Sequence, residues 1–464
     1  MPTGVNKNMN RRVNETMMTN PRDLTIGAAT DRMRTGELTA RGLVESCLER
    51  IHERDCTIRA WVEVYAAQAL EEARQCDREA QAGKWRGDLH GIPVGVKDII
   101  DVKGMWTRAG TSIYPARVAE VDAPSVQRLK AAGAIILGKT ETTPFANNDP
   151  TVTRNPWNSN YTPGGSSSGS GAAVADRMCP AALGTQTGGS LLRPAAYTGI
   201  VGFKPTYGHI SAEGVMPNTW SFDTVGVHAR CVADVEIVWR NLKEETPLAF
   251  ARIPAAFHRP ARRGPKDPPA LGYIRDFFEK ETTSDVLRNL AASMEAFKEA
   301  GARIVELKLP DDFGLLVEGW SIIKGAELAA YHRPLFRTQG EHFPPKIKAR
   351  IEKGFTVPAH QYVETIRHRL LFQKKMSDIL SPVDAAIMPV ASTTAPEGLS
   401  STGSSVFNRP WTFTGFPAMS IPSGLDATGL PFAIQMAGLP MAEAHLLSVA
   451  AWCEQVLGFK QRPA

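Results

Sequence analysis

The chain has 464 residues, 43% of them apolar, with 53 basic and 48 acidic side chains for a net charge of +5. That length exceeds a typical single domain and supplies a large core, while so small an excess charge implies neither nucleic-acid nor membrane binding. The six cysteines (Cys47, Cys56, Cys76, Cys179, Cys231 and Cys453) are scattered without a CxxC pair, which fits free thiols in a reducing compartment better than a disulfide framework. No zinc-type spacing joins the ten histidines. No apolar h-region opens the chain and no segment has the apolar length of a membrane span. The expectation is a soluble cytoplasmic protein with no metal.

Residues 1–20 are polar, rich in Asn, Thr and Arg, and read as a disordered tail before a domain over 21–464. Apolar residues at helical spacing predict helices over 24–33 and 43–51, with Thr39 as N-cap of the second. The Ala/Glu/Arg-rich stretch 66–82 predicts a third. Residues 91–100, GIPVGVKDII, change the period. A short, nearly continuous apolar run suits a strand buried on both faces, and Lys97 and Asp98 lie inside it. A helix over 124–132 and a buried strand over 134–137 complete an α/β pattern. Two Gly/Ser loops, 164–171 and 184–190, then flank an Ala-rich stretch of helical composition. Further on come strands over 271–274, 304–307, 385–389, 417–422 and 432–436. Helices are expected over 284–300, 322–335, 360–379 and 443–457. The Pro/Arg-rich stretch 254–269 is the best linker, and its basic cluster 258–263 with Lys266 reads as a solvated loop. Since α/β elements resume beyond it, one large domain is expected.

Three motifs mislead. Residues 133–140, GAIILGKT, match the P-loop pattern letter for letter. A P-loop needs free N–H groups in its variable positions, but Ala-Ile-Ile-Leu belongs in a sheet, and Pro144 forbids the helix that should begin at Lys139. Residues 165–169, GSSSG, match the nucleophile elbow with Ser167 at its centre. The polar, Pro-rich stretch 155–163 ahead of it cannot be the buried strand an elbow requires. Ser321–Lys324 matches SxxK in an amphipathic segment, a pattern short enough to arise by chance.

The Gly/Ser loops carry the chemistry. They have almost no side chain to bury, yet apolar residues 172–175 and 200–203 embed them between packed elements. Glycine admits a ligand close to the backbone, runs of N–H groups bind anions, and small hydroxyls on such a frame are candidate nucleophiles. Lys97, the GGSSSGSGAAVA loop and GTQTGGS together resemble the amidase signature family, here its small-amide, carboxybiuret and urethanase-like bacterial subgroup. The flanking GKTETTPFA, TRNPWN, VGFKPTYG, TGFPAMSIP and GLPFAIQM agree, and the resemblance covers nearly the whole chain beyond the first twenty residues.

The resemblance implies one α/β/α domain with a central mixed sheet covered by helices on both faces. Its Gly/Ser-rich catalytic core falls at about 91–235 and a more variable substrate side at about 236–384. It implies a Ser–cis-Ser–Lys triad: Ser190 as nucleophile, Ser166 as bridging serine on a cis peptide, and Lys97 as base. Backbone N–H groups across Thr187, Gly188, Gly189 and Ser190 are the implied oxyanion donors. The segment Phe145, Ala146, Asn147 and Asn148 is implied to line the acyl side of the substrate, with 214–221 and 407–414 as weaker candidates for the mouth. The residue chemistry agrees. A serine needs a base to become a nucleophile, and a lysine among apolar neighbours loses hydration, so its neutral form is favoured. Two departures stand out: Gln186 replaces the commoner Asp of GTDTGGS, and arginine shifts one place to Arg193. Both touch no triad member on this reading, but they put the hydrogen bonding behind the oxyanion loop in question.

The expected activity is hydrolysis of linear amide or carbamate C–N acyl bonds through a seryl acyl-enzyme, without metal or organic cofactor. An allophanate or carboxybiuret hydrolase is an alternative, as is the A subunit of a glutamyl-tRNA or aspartyl-tRNA amidotransferase. The expected partner is a small-molecule amide or carbamate, with no nucleic acid and no membrane; a homodimer is compatible with the chain.

Overall fold

Helices and strands interleave along the described residues and build one large sheet, with a two-stranded ribbon apart from it. The computed structural model describes residues 20–244 and 268–464. All but the last residue of the expected tail, most of the linker 254–269 and the whole basic cluster lie outside the described residues. Helices α1 (Ile26–Arg34) and α2 (Ala40–Ile58) begin on Thr25 and Thr39, whose hydroxyls accept from the N–H groups of Ala28 and Gly42. That is the capping expected of Thr39. Next come β1 (Trp61–Val64), α3 (Ala66–Gln81), β2 (Pro93–Lys97), the two-residue strands β3 (Trp106–Thr107) and β4 (Arg117–Val118), α4 (Pro124–Ala131) and β5 (Ile135–Thr140). The Gly/Ser region forms α5 (Ser168–Ala175), β6 (Ala181–Gln186), α6 (Leu192–Thr198) and β7 (Val201–Lys204). Then follow β8 (Thr224–Ala229) and α7 (Val232–Leu242).

Beyond the gap are β9 (Ala270–Ile274), α8 (Asp276–Glu279), α9 (Ser284–Glu299), β10 (Arg303–Leu307), α10 (Phe313–Gln339), α11 (Pro345–Phe355) and α12 (Ala359–Leu380). The chain closes with β11 (Ala385–Pro389), α13 (Arg409–Thr414), β12 (Ala418–Leu425), β13 (Pro431–Ala437) and α14 (Glu443–Leu457). Eleven strands form one mixed sheet in the order β1-β5-β2-β6-β8-β7-β12-β13-β11-β9-β10. Parallel triplets, β5-β2-β6 and β11-β9-β10, flank an antiparallel centre. The α/β class with a large mixed sheet is as expected.

The differences have physical causes. The first Gly/Ser loop is shorter than expected because its second half is the start of α5. Serine and glycine are poor helix formers, but every residue of α5 is buried, so packing overrides propensity. Small residues are what let the helix lie there: a Cβ at Gly169 would collide with the backbone of Ala60 and Glu141. Likewise β6 takes Gly184 to Gln186, so the second loop starts at Thr187. β5 runs past Leu137 to Thr140, carrying Lys139 into the sheet. There Lys139 pairs with Glu63 of β1 on one side and Val96 of β2 on the other. Its amine lies 3.1 Å from the Asp98 carboxylate and donates to Trp106 O and Thr107 Oγ1. The P-loop look-alike is thus a buried strand with a structural ion pair. The segment 407–414, read as a loop, contains α13, and Trp411 is fully buried. Among the described residues no helix is long and apolar enough to cross a membrane, and the six cysteines are unpaired.

Candidate active site

The parallel pair β2–β6 brings two distant stretches together. Val94 and Val96 lie beside Ala181 and Leu183, so Lys97 at the end of β2 stands next to the end of β6. Its amine donates to Ser166 Oγ at 2.7 Å and to Thr185 Oγ1 at 2.8 Å. Lys97 is fully buried. Desolvation drives its pKa well below the usual lysine range, opposed only by the Asp223 charge. A neutral amine there can keep one N–H on Thr185 and turn its lone pair to the Ser166 proton.

Ser166 follows a cis peptide, Gly165–Ser166. Both carbonyls of this unit are held. Ser166 O accepts from Thr143 N and Thr142 Oγ1. Gly165 O accepts from Arg193 Nη2 at 2.5 Å. The Arg193 guanidinium also donates to Gly403 O and Thr402 Oγ1, so the shifted arginine grips the peptide that carries Ser166. It is closer to Ser166 than its place in the sequence suggests. Gly164 before it has φ of +80°, with Pro194 and Tyr197 crowding the position of a Cβ, a place only glycine fills without strain.

The loop 187–190 between β6 and α6 has one distinctive property. Each of its carbonyls is bonded. Thr187 O accepts from Trp320 Nε1 at 2.7 Å, Gly188 O from Thr412 Oγ1, Gly189 O from Arg193 N and Ser190 O from Ser167 N. None of its four N–H groups donates to a described residue. Buried N–H groups are almost always paired, so four adjacent free donors on a fixed backbone make an anion-receiving concavity. Ser190 itself is half-buried, while Lys97 and Ser166 are sealed. Its hydroxyl has no hydrogen-bond partner among the described residues; such bonds commonly tighten only in the substrate complex.

Behind this loop lie Gln186, expected from its departure to matter there, and Asn218, Thr219 and Thr412 from the two segments read as the mouth; Asp223 carried no signal in the sequence. Gln186 Oε1 accepts from Leu191 N and Leu192 N, and its Nε2 donates to Thr412 Oγ1. A carboxylate could not supply that last donor, so the Gln-for-Asp exchange is matched by Thr412. Thr187 Oγ1 donates to Asp223 at 2.5 Å, and Asn218 N and Thr219 N donate to the same carboxylate. Burial raises the Asp223 pKa to about 6 against these three bonds. Ser167, centre of the elbow look-alike, is fully buried; its hydroxyl donates to Thr185 O and accepts from Thr185 N. It ties the two loops together and faces no solvent.

Phe145, Ala146, Asn147 and Asn148 form the turn between β5 and the Ser166 loop. Phe145 and Ala146 have φ of +52° and +53°, a strained conformation for non-glycine residues. The Phe145 ring is fully buried, stacked on Phe343 at 4.9 Å and edge-on to His332. Asn147 is 2% exposed and its amide donates to Phe145 O; Asn148 is partly exposed. In the segment 214–221, Trp220 is 51% exposed beside Tyr331. Among the described residues no cluster of three or more His, Cys, Asp or Glu could hold a metal.

A buried lysine against two serine loops, with a row of free N–H groups at the second, is the equipment of acyl transfer. The Amidase family model matches residues 42–447, and the chain belongs to that family, whose enzymes act on carbon–nitrogen bonds. The A subunit of the glutamyl-tRNA(Gln) amidotransferase from Chloroflexus aggregans is 33% identical, over 96% of this chain and 99% of that one. A crystal structure of an amidase superposes with a TM-score of 0.84 at 28% identity, over 93% of this chain and 99% of the other. The peptide amidase from Stenotrophomonas maltophilia gives 0.81 at 28%, over 95% and 98%.

Proposed function

We infer that the chain hydrolyses linear amides or carbamates through an acyl-enzyme on Ser190. The observation that carries this reading is the loop 187–190, with every carbonyl bonded and every N–H free. Ser190 Oγ attacks the substrate carbonyl as its proton passes to Ser166 Oγ and the Ser166 proton passes to Lys97 Nζ. The carbonyl oxygen, now negative, receives the N–H groups of Thr187, Gly188, Gly189 and Ser190. The C–N bond breaks and the amine leaves with the proton returned from Lys97 through Ser166. Water, deprotonated along the same path, then releases the acyl group and restores the Ser190 hydroxyl. Residues 145–148 line the acyl side on this reading. Its support is their place in the chain: Thr142 and Thr143, just ahead of them in the same turn, hold Ser166 O.

A second reading is favoured by the relatives. Their name makes this chain a candidate A subunit of an amidotransferase, in which the same triad releases ammonia from glutamine for a partner. A hydrolysis screen of the purified chain on p-nitroanilides, primary amides and aryl carbamates, with glutamine alongside, separates the two. Turnover of simple amides or carbamates by the chain alone supports the hydrolase. Glutamine as sole substrate, with a rate that rises on adding partner proteins, overturns it in favour of the second reading.

A further inference from the structure

Helix α12 packs one face and leaves the other open. Its inner face reaches the elements behind the site: Arg369 Nε donates to Phe413 O, Gln373 Nε2 to Thr414 O and Tyr362 OH to Glu327 Oε1. Thr365, Phe372, Met376 and Leu380 are buried on that side. The outer face carries Val363, Leu370 and Leu371, which are 63%, 59% and 59% exposed. No other helix among the described residues has more than one exposed large apolar side chain. The start of α10 lies alongside, since Asp312 takes His368 and Lys375, and it adds Leu315, also exposed. An exposed apolar cluster rimmed by charge marks a contact surface.

The pattern along that face says what fits it. His360, Glu364, Arg367, Leu371, Lys374 and Asp378 follow one another at intervals of four and three, the spacing that keeps a seam on one side of a helix. All six are exposed. His360 and Asp378, Glu364 and Lys374, and Arg367 and Leu371 are each equally far from residue 369. The seam therefore matches its own reverse, acid against base. Glu364 and Arg367 have no ion-pair partner among the described residues. Lys374 meets Asp378 one turn on at 2.7 Å, an exposed pair worth too little to resist exchange. With two acids and two bases the seam has no excess charge to draw a nucleic acid or an anionic membrane.

We propose that the outer face of α12 is a docking surface for a second copy of this chain, the two helices packing antiparallel across a two-fold axis beside residue 369. A two-fold axis makes one patch serve both sides, so a patch that matches its own reverse is what it requires. Glu364 of each copy then faces Lys374 of the other, and His360 faces Asp378. Leu370 and Leu371 of both copies meet at the axis and are covered there. A parallel arrangement would set Glu364 against Glu364 and Lys374 against Lys374, so charge selects the antiparallel one.

The test is sedimentation velocity on the full chain over a concentration series. The wild type should be half dimeric at about 10 µM, since one helix pair is small for a stable interface. Leu371→Asp should weaken the dimer by about 100-fold, because each change counts twice across the axis. Glu364→Lys and Lys374→Glu set like charges opposite one another, so each alone should weaken it by about 10-fold or more. Mixed in equal amounts, those two variants should dimerise again, because each residue then meets its opposite sign. The Tm of the wild type should rise with protein concentration, while that of Leu371→Asp stays constant. A wild type still monomeric at about 300 µM overturns the proposal, whatever else covers the face. A dimer that survives all three substitutions belongs to another face and overturns it too. Charge variants that fail to associate when mixed refute the antiparallel register, and with it the self-complementary seam.

Discussion

Ser190 and Lys97 differ in what surrounds them, and the difference sets what each substitution should do. Ser190 is the one reachable member of the proposed triad, so Ser190→Ala should leave the fold intact and lower kcat by roughly 10⁴-fold or more. A fluorophosphonate or sulfonyl fluoride should label the peptide that holds Ser190. Mass spectrometry finding the label on Ser167 instead would contradict the burial and double bonding of that hydroxyl. Lys97 predicts a pH dependence. Its pKa is lowered by desolvation, so kcat/KM should rise with pH through a value well below that of free lysine, about 10.4. Lys97→Ala should flatten this limb. The same shift bears on stability. Between the folded pKa and the free value, the unfolded chain binds a proton that the folded chain does not. Lys97 therefore costs stability at neutral pH, and that cost shrinks as pH rises toward the free value. Thermal melts of Lys97→Met should show its advantage over wild type, or its smallest deficit, at neutral pH and a loss of that advantage in alkali.

At the scale of elements, the link from β6 to α6 is where one side chain organises two. Gln186 closes β6, and its Oε1 meets the first free N–H groups of α6 at Leu191 and Leu192. Gln186→Ala leaves both N–H groups buried without that acceptor. The expected loss is about 1–3 kcal/mol for each group left unpaired, read as a lower midpoint in denaturant. Since the same loop presents the free N–H row, kcat should fall with little change in KM. A variant with the stability loss but wild-type kcat would show that Gln186 only supports the helix. Gly189 marks the tightest place: Ser405 Cβ lies 2.8 Å from where a Cβ would be, and Asn408 is closer still. Gly189→Ala should therefore shift the donors and lower kcat by about 10²- to 10³-fold, the range for a lost oxyanion donor.

Over the whole molecule, two buried apolar clusters meet at the site. Val94, Val96 and Leu183 around Lys97 belong to one, while Leu191, Leu192, Trp320 and Phe413 belong to the other. The site needs both to be packed. In urea, amide or carbamate hydrolysis and far-UV circular dichroism should fall in one transition. Activity that vanished at clearly lower urea would show that the second cluster opens by itself, against this prediction.

The sequence by itself determined the α/β class, most of the buried strands and the ordered set of motifs that mark the family. Those signals are local: an apolar run as short as 385–389 suits a buried strand better than a helix, and loops of Gly and Ser between apolar flanks have few other uses. It also allowed the P-loop look-alike to be rejected, because Ala-Ile-Ile-Leu has to be in a sheet. The tertiary structure decided what local signals cannot hold. Residues 168–171 look like loop and form helix, because packing against Ala60 and Pro194 outweighs their propensity. Arg193, one place from where the family pattern has arginine, proves to hold the Gly165 carbonyl. Trp320 and Lys324 sit in a segment whose only sequence feature was a chance SxxK, and they reach the site because α10 packs across the loop 187–190. Contacts between residues from 28 to 133 positions apart leave no periodicity to read, so their chemistry appears only once the chain is folded.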